Sequence, residues 1–253
     1  MSLLLVEKLS LQFGGLIVLK DVSFEVQANG IHSLIGPNGA GKTSLFNCLT
    51  GFYRQSSGDI RLRGESIGAM PPHRITQRGI ARTFQNIRLF REMTVLENVM
   101  AGRHCRSHHG ILAAIAHLPS QRREERDIEA RSRQWLDFVG IPHLWDRIAG
   151  TLSYGDQRRV EWARAMASDP ALLLLDEPAA GLNHSEKAEL ADTIRRVRDQ
   201  GVTILLIEHD MGLVMQVSEH VVVLDHGQKI AEGSPRQIQN DSKVIEAYLG
   251  SDA

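Results

Sequence analysis

The spacing of apolar residues changes character twice along the 253-residue chain. Over the first sixty residues, Leu3 to Leu11, Val22 to Val26 and Ile60 to Arg63 form short runs that alternate or carry β-branched side chains. Gly14-Gly15 and Asn29-Gly30 punctuate them. This pattern predicts strands joined by tight turns. Ile31 to Ile35 reads as an apolar strand running into a glycine-rich loop. From about Leu89 to Leu152 the runs become longer and more charged, as in QRREERDIEARSRQWLDFVG. There Ile128, Trp135, Leu136 and Val139 make an apolar stripe at helical spacing, which predicts a helical insert.

After the insert, strands and helices alternate. LLLLD predicts a strand, SEKAELADTIRRVRDQ a helix stopped by Gly201, and VTILLIEHD a strand, with a helix over Met211 to Ser218 and short strands in VVVLDHG and QKIAEG. The apolar strands carry few charges on either side, as in a parallel sheet covered on both faces. Alternation of this kind predicts a layered α/β fold.

Composition narrows the function classes. Lys plus Arg total 29 and Asp plus Glu total 30, a net charge of −1, which argues against a protein that coats nucleic acid. Hydrophobic residues at 42% exclude disorder over the whole chain. Two cysteines, Cys48 and Cys105, build neither a multi-bridge framework nor a four-cysteine zinc site, and both are expected to be reduced. No run approaches the roughly 20 apolar residues of a membrane span, and MSLLLVEKLS is too short for a signal sequence. A cytoplasmic chain that meets a membrane only through a partner is the expectation.

Two motifs carry chemistry. Residues 36–44 read GPNGAGKTS, with Gly36, Gly41, Lys42 and Thr43 in the phosphate-loop pattern between a strand and a helix. Glycines let the backbone aim N–H groups inward, and the helix N-terminus adds unsatisfied N–H groups and a positive dipole end. Asn38, Gly39, Ala40, Gly41, Lys42, Thr43 and Ser44 are the candidate phosphate-binding residues, with the Lys42 ammonium reaching the β- and γ-phosphates and the Thr43 hydroxyl on Mg²⁺. Residues 172–178 read LLLLDEP, a buried strand ending in two acids. Asp176 suits a Mg²⁺ ligand and Glu177 a general base for an attacking water.

With RTFQ ending at Gln85, LSYGDQRR at 152–159, AAGLN at 179–183 and IEHD placing His209, the chain resembles an ATP-binding cassette (ABC) ATPase subunit over nearly its whole length. The resemblance implies a P-loop NTPase α/β fold: a RecA-like parallel sheet core with an N-terminal antiparallel β subdomain and a helical subdomain. It places the core at 1–88 and 155–235, the helical subdomain at 89–154 and a C-terminal helical extension at 236–253. It implies ATP and Mg²⁺, with Gln85 sensing the metal or the lytic water and His209 holding the γ-phosphate, the water and Glu177. Phe13 would stack on adenine, with Val18 beside it.

Ser153 reads as a helix N-cap with Asp156 as its capping-box partner. The resemblance implies that Ser153 and the Gly155 amide bind the γ-phosphate held by an opposite subunit, so that two chains pair head to tail. The family has glutamine in place of Asp156 and aspartate in place of Asn183, and both departures are expected to lower activity at the site that LSYGDQRR, the family's signature motif, completes.

FGGL at 13–16, ARTFQNIRLFREMTVLENVMAGRH at 81–104, DEPAAGLN, IEHDM and VIEAYLG at 244–250 resemble the longer ATPase subunit of branched-chain amino acid importers. That implies permease subunits, a second ATPase subunit and, indirectly, an external binding protein, at the cytoplasmic face of the membrane. Urea or amide importers share much of this pattern, and an exporter subunit or a non-transport ABC ATPase are the remaining readings. Asn86 to Val99, with Ile87, Arg88, Leu89 and Phe90, is the expected groove for a permease helix. HCRSHH at 104–109 is expected to be an exposed loop and the charged run at 122–133 a solvated helix.

Overall fold

The computed structural model describes residues 2–106 and 119–249. In chain order the elements are β1 (Ser2–Phe13), β2 (Leu16–Gln27), β3 (Ile31–Ile35), α1 (Lys42–Leu49), β4 (Ser57–Leu62), β5 (Glu65–Ser66), α2 (Pro72–Arg78), β6 (Ile80–Arg82), α3 (Val95–Arg103), α4 (Pro119–Phe138), α5 (Tyr154–Ala167), β7 (Leu172–Asp176), α6 (His184–Asp199), β8 (Thr203–Ile207), α7 (Met211–Val217), β9 (His220–Asp225), β10 (Gln228–Gly233), α8 (Pro235–Gln239) and α9 (Ser242–Leu249). They divide into two compact units, residues 1–85 with 171–253, and residues 86–170.

The first unit holds both sheets. One has four strands in the order β2-β1-β4-β5, and the other six, in the order β10-β9-β3-β8-β7-β6. In the larger sheet β9, β3, β8, β7 and β6 run parallel, and β10 closes the edge antiparallel to β9. Every residue of β3, β7 and β8 is buried, which is why these strands read as mostly apolar runs. His32 and Ser33 are the polar exceptions in β3, and both are bonded, to the Gln27 carbonyl and the Ser218 hydroxyl. Phe46 of α1 is fully buried among Leu34, Leu174, Leu205 and Leu224. Burying one such side chain contributes about 1.5–3 kcal/mol.

The helices start where their sequence says. Pro72 opens α2 and Gly79, at φ 107°, ends it. Asn183 caps α6 through a capping box in which its side chain accepts from the Glu186 amide (3.0 Å) and Glu186 accepts from the Asn183 amide (2.8 Å). The asparagine therefore performs the capping that an aspartate in the same place would perform.

The second unit is helical. Val95, Val99, Leu136, Ile141, Val160 and Ala163 form its buried centre, with Trp135 and Val139 packed against it. The stripe expected on α4 is thus its buried side; Ile128 is buried as well. A capping box of Thr94 and Glu97 starts α3. A Cβ on Gly102 would stand 2.1 Å from the Arg164 carbonyl oxygen, so α3 and α5 approach as closely as backbones can. The sequence reading divided the chain at 89–154. By contacts the second unit spans 86–170 and includes α5, because Val160, Ala163 and Ala167 complete its apolar centre.

Candidate active site

The loop after β3 is built by two glycines that accept no side chain. Gly36 has φ 149°, and a Cβ there would meet the Leu224 carbonyl oxygen at 2.0 Å. Gly41 (φ 100°) caps α1 in the left-handed region, and its Cβ would lie 2.8 Å from Leu19 Cδ2 and 3.1 Å from the Val18 carbonyl. The loop is therefore pressed between β9 and β2. Residues 36–44 curl round the N-terminus of α1, with Asn38, Gly39 and Thr43 exposed, Ser44 half-buried and Ala40 buried.

Lys42 points back into this loop. Its ammonium donates to the Gly36 carbonyl (2.7 Å) and the Pro37 carbonyl (2.9 Å). Burial pulls its pKa below the usual lysine value, and the negative charges of Glu177 and Asp176 work against that shift.

The carboxylates stand at the end of the neighbouring strand β7. Glu177 takes φ +47°, unusual for a residue with a side chain, and turns the chain sharply out of the sheet. Its Oε2 accepts from Gln85 Nε2 at 2.9 Å and lies 3.9 Å from His209 Nδ1. The structure thus brings Glu177, Gln85 and His209 together. Asp176 is engaged differently: its Oδ2 lies 2.6 Å from an Arg82 guanidinium nitrogen, and both side chains are buried. Sequence reading passed over Arg82, although a cation two residues after Ile80, on a strand of otherwise apolar residues, is a signal.

Phe13 ends β1 half-exposed (48%), and its ring meets Tyr53 edge-on at 5.2 Å. Tyr53 was not anticipated. Val18 sits half-buried in β2. A cavity of about 650 Å³ opens beside the loop, lined by Pro37, Asn38, Gly39, Ala40, Lys243 and Glu246. A larger one, about 1240 Å³, is lined by Gly30 and His32 at the start of β3. Neither of these two cavities is lined by Lys42, Gln85, Asp176, Glu177 or His209; the smaller only adjoins the loop, and the candidate groups lie beyond the carboxyl ends of the strands, where active groups of an open parallel sheet collect.

A donor set of Thr43 hydroxyl, Asp176 carboxylate and Gln85 amide is hard oxygen chemistry and fits Mg²⁺ rather than a softer metal. Among the described residues no cluster of His, Cys, Asp and Glu forms a separate metal site. His104 and Cys105 end α3 and the short turn after it; His108 and His109 of HCRSHH lie outside the described residues.

In the helical unit Ser153 caps α5, its hydroxyl accepting from the Asp156 amide at 3.2 Å. The expected capping box is replaced by a different bond: the Ser153 hydroxyl itself donates to Asp156 Oδ2 at 2.7 Å. An aspartate is one methylene shorter than glutamate and reaches the hydroxyl rather than the Ser153 amide. Ser153 and Gly155 are exposed. Of the expected permease groove, Arg88 and Phe90 are exposed, Ile87 is half-buried, and Leu89 packs against the helical core.

The family model described as ABC transporter matches residues 19–180, from β2 through the phosphate loop, the Ser153 cap and the Asp176–Glu177 pair. The chain belongs to the ABC transporter family. A second family model, described as branched-chain amino acid ATP-binding cassette transporter, matches residues 228–253. The high-affinity branched-chain amino acid transport ATP-binding protein BraF of Pseudomonas aeruginosa is 48% identical over 246 residues, 97% of this chain and 96% of that protein. The corresponding LivG protein of Escherichia coli is 47% identical over 98% of each chain. Among solved structures, the ADP conformation of MJ1267, an ATP-binding cassette of an ABC transporter, superposes with a TM-score of 0.85 at 33% identity, covering 99% of both chains.

The protein is accordingly an ATP-hydrolysing ABC cassette. Its catalytic end has one further feature that sequence reading missed: Glu208, one residue before His209, is fully buried and accepts three backbone N–H bonds. The signal was there in IEHD, an acid closing an apolar strand. Among the described residues no helix is long and apolar enough to cross a membrane.

Proposed function

We propose that this cassette is the energy-coupling ATPase of an importer for branched-chain amino acids, working at the cytoplasmic face of the membrane beneath permease subunits. The observation that carries the reading is similarity of 47–48% to BraF and LivG over almost the whole chain, joined by the separate C-terminal family match at 228–253.

In the proposed reaction the loop amides and Lys42 hold the β- and γ-phosphates, which requires the ammonium to leave the Gly36 and Pro37 carbonyls for the incoming oxygens. Thr43, Asp176 and Gln85 would hold Mg²⁺, which would supply positive charge opposite the phosphate oxygens. Glu177 takes a proton from a water as its oxygen attacks the γ-phosphorus, and the bridging oxygen leaves on ADP. Gln85 and His209 hold the Glu177 carboxylate and the water. Phe13, with Tyr53 against its edge and Val18 beside it, offers the adenine a face. Ser153 and the Gly155 amide serve the nucleotide of an opposite ATPase subunit, so hydrolysis is coupled to pairing and passed on as a population shift. Ile87, Arg88 and Phe90 form the surface for a permease helix.

A tagged chain is pulled down from mildly solubilised membranes and its partners are identified by mass spectrometry. Two polytopic permeases and a second ATPase chain are expected. Recovery with nucleic acid or ribosomes alone overturns the transport reading and leaves the ATPase standing.

A further inference from the structure

We infer that Glu208 is a positioning residue for hydrolysis, a single buried carboxylate that clamps the loop carrying Glu177 to the loop carrying His209. The inference rests on the reading of Glu177 and His209 as hydrolytic groups. It assigns a task to a side chain whose two oxygens are both taken by backbone amides.

The geometry follows from how two strands end. β7 and β8 are parallel, with Asp176 opposite Ile207, so both chains leave the sheet at the same level. The Glu177 amide still donates to the Ile207 carbonyl at 2.9 Å, and the positive φ of Glu177 then swings the chain sideways. Two residues later the Ala179 amide returns to Glu208 Oε1 at 2.7 Å. The other oxygen, Oε2, accepts from the His209 amide at 3.1 Å and the Asp210 amide at 3.3 Å. One oxygen thus holds the chain just beyond Glu177, and the other holds the backbone of His209 itself. A second tie runs parallel: Lys187 of α6 pairs with Asp210 at 2.5 Å, and Asp210 caps α7 through the Leu213 amide.

A carboxylate is the group this place requires. Both of its oxygens are acceptors, and both face donors. An amide of the same shape would turn an NH₂ group towards either Ala179 or the His209–Asp210 pair, setting donor against donor in a fully buried position. Burial pushes the Glu208 pKa above the usual glutamate value, and the three amides draw it back. With the clamp loosened, the His209 Nδ1 to Glu177 Oε2 spacing of 3.9 Å is no longer held. Proton transfer is sensitive to displacements of that order, whereas phosphate binding by residues 36–44 is built elsewhere.

The test measures steady-state ATP hydrolysis and fluorescent ATP-analogue binding by the full chain purified together with the subunits that the pull-down recovers. For Glu208→Gln we expect kcat to fall at least tenfold, with KM for ATP and analogue affinity within about twofold of wild type. Val214→Ala, in the buried face of α7, serves as a variant of lowered melting temperature without that split. Glu208→Asp, which keeps the charge but falls one methylene short, is expected to show the same split and covers the case in which the glutamine variant does not fold. Glu177→Gln is measured in parallel and is expected to bind ATP without hydrolysing it; its failure to do so would overturn the assignment of the base and not the clamp. A binding-competent Glu208 variant with kcat within twofold of wild type overturns the clamp. So does a loss of kcat matched by an equal loss of nucleotide affinity.

Discussion

Arg82 and Asp176 are joined across neighbouring strands at 2.6 Å, both almost fully buried, so the carboxylate expected to face a metal is already held by a cation of the chain. Arg82 also donates to Asn47 Oδ1 of α1 at 2.8 Å and lies over the rings of Phe46 (5.5 Å) and Phe84 (5.0 Å). It therefore ties β6, β7 and α1 to one point beneath the phosphate loop.

Removing that cation leaves a buried carboxylate unpaired. Arg82→Ala is expected to cost about 3–5 kcal/mol of stability. Because Mg-ATP binds only the folded chain, saturating nucleotide is expected to recover part of the loss. Thermal unfolding with and without Mg-ATP measures both, and a wild-type melting temperature in the variant would refute the role.

Lys42 is the one cation of residues 36–44. Lys42→Ala is expected to lower hydrolysis on the order of 100-fold or more, as loss of a preorganised electrostatic donor does. Because its ammonium bonds the Gly36 and Pro37 carbonyls without ligand, the variant also loses a brace within the loop. Nucleotide affinity by calorimetry, beside steady-state hydrolysis, separates the two losses.

Gln85 donates to Glu177, the proposed base. Glu177→Gln is expected to lower kcat by about 10²–10⁴, the usual contribution of a general base, while retaining ATP affinity. Gln85→Ala, which deletes the 2.9 Å bond to the base, is expected to lower kcat less. Single-turnover hydrolysis distinguishes this order from its reverse.

His32 makes the fold sensitive to acid. Burial lowers its pKa below 6.5; nearby His220 acts in the same direction, and the Gln27 carbonyl, Glu219 and Glu232 oppose it. The unfolded chain then binds this proton more readily than the folded one. Stability is complete above about pH 6.5 and falls as pH drops towards the lowered folded value, with a slope of at most about 1.36 kcal/mol per unit for this one group. Urea unfolding at pH 7.5 and 5.5 is expected to show a smaller loss in His32→Leu than in wild type.

The legible parts of this protein are those written in consecutive residues. Ile31 to Ile35 and Leu172 to Asp176 appear as strands with the expected bounds, because burial on both faces leaves a local apolar signature; Gln228 to Gly233, an edge strand with no buried residue, also keeps its expected bounds, set by the turn at His226-Gly227 before it. The phosphate loop is legible for the same reason: its glycines and lysine must lie within a few residues of one another. The helix after Ser153 is less legible. Tyr154–Ala167 belongs by contacts with the helical unit, and its amphipathic sequence does not say which apolar centre it will complete.

Motif chemistry named Glu177, His209 and Gln85, but their meeting at one carboxylate oxygen depends on strand order. Arg82 reaches Asp176 because β6 pairs with β7, and Glu208 reaches Ala179 because β7 and β8 end in register. Partners 94 and 29 residues apart leave no trace in local spacing. The amino-acid order alone was enough for the element types, the phosphate loop and the candidates for the reacting groups, since each rests on neighbours along the chain. Which cation holds which carboxylate, and which buried acid joins the loop of Glu177 to that of His209, came only with the packed sheet, because hydrogen bonds between distant segments exist only once β6, β7 and β8 lie side by side.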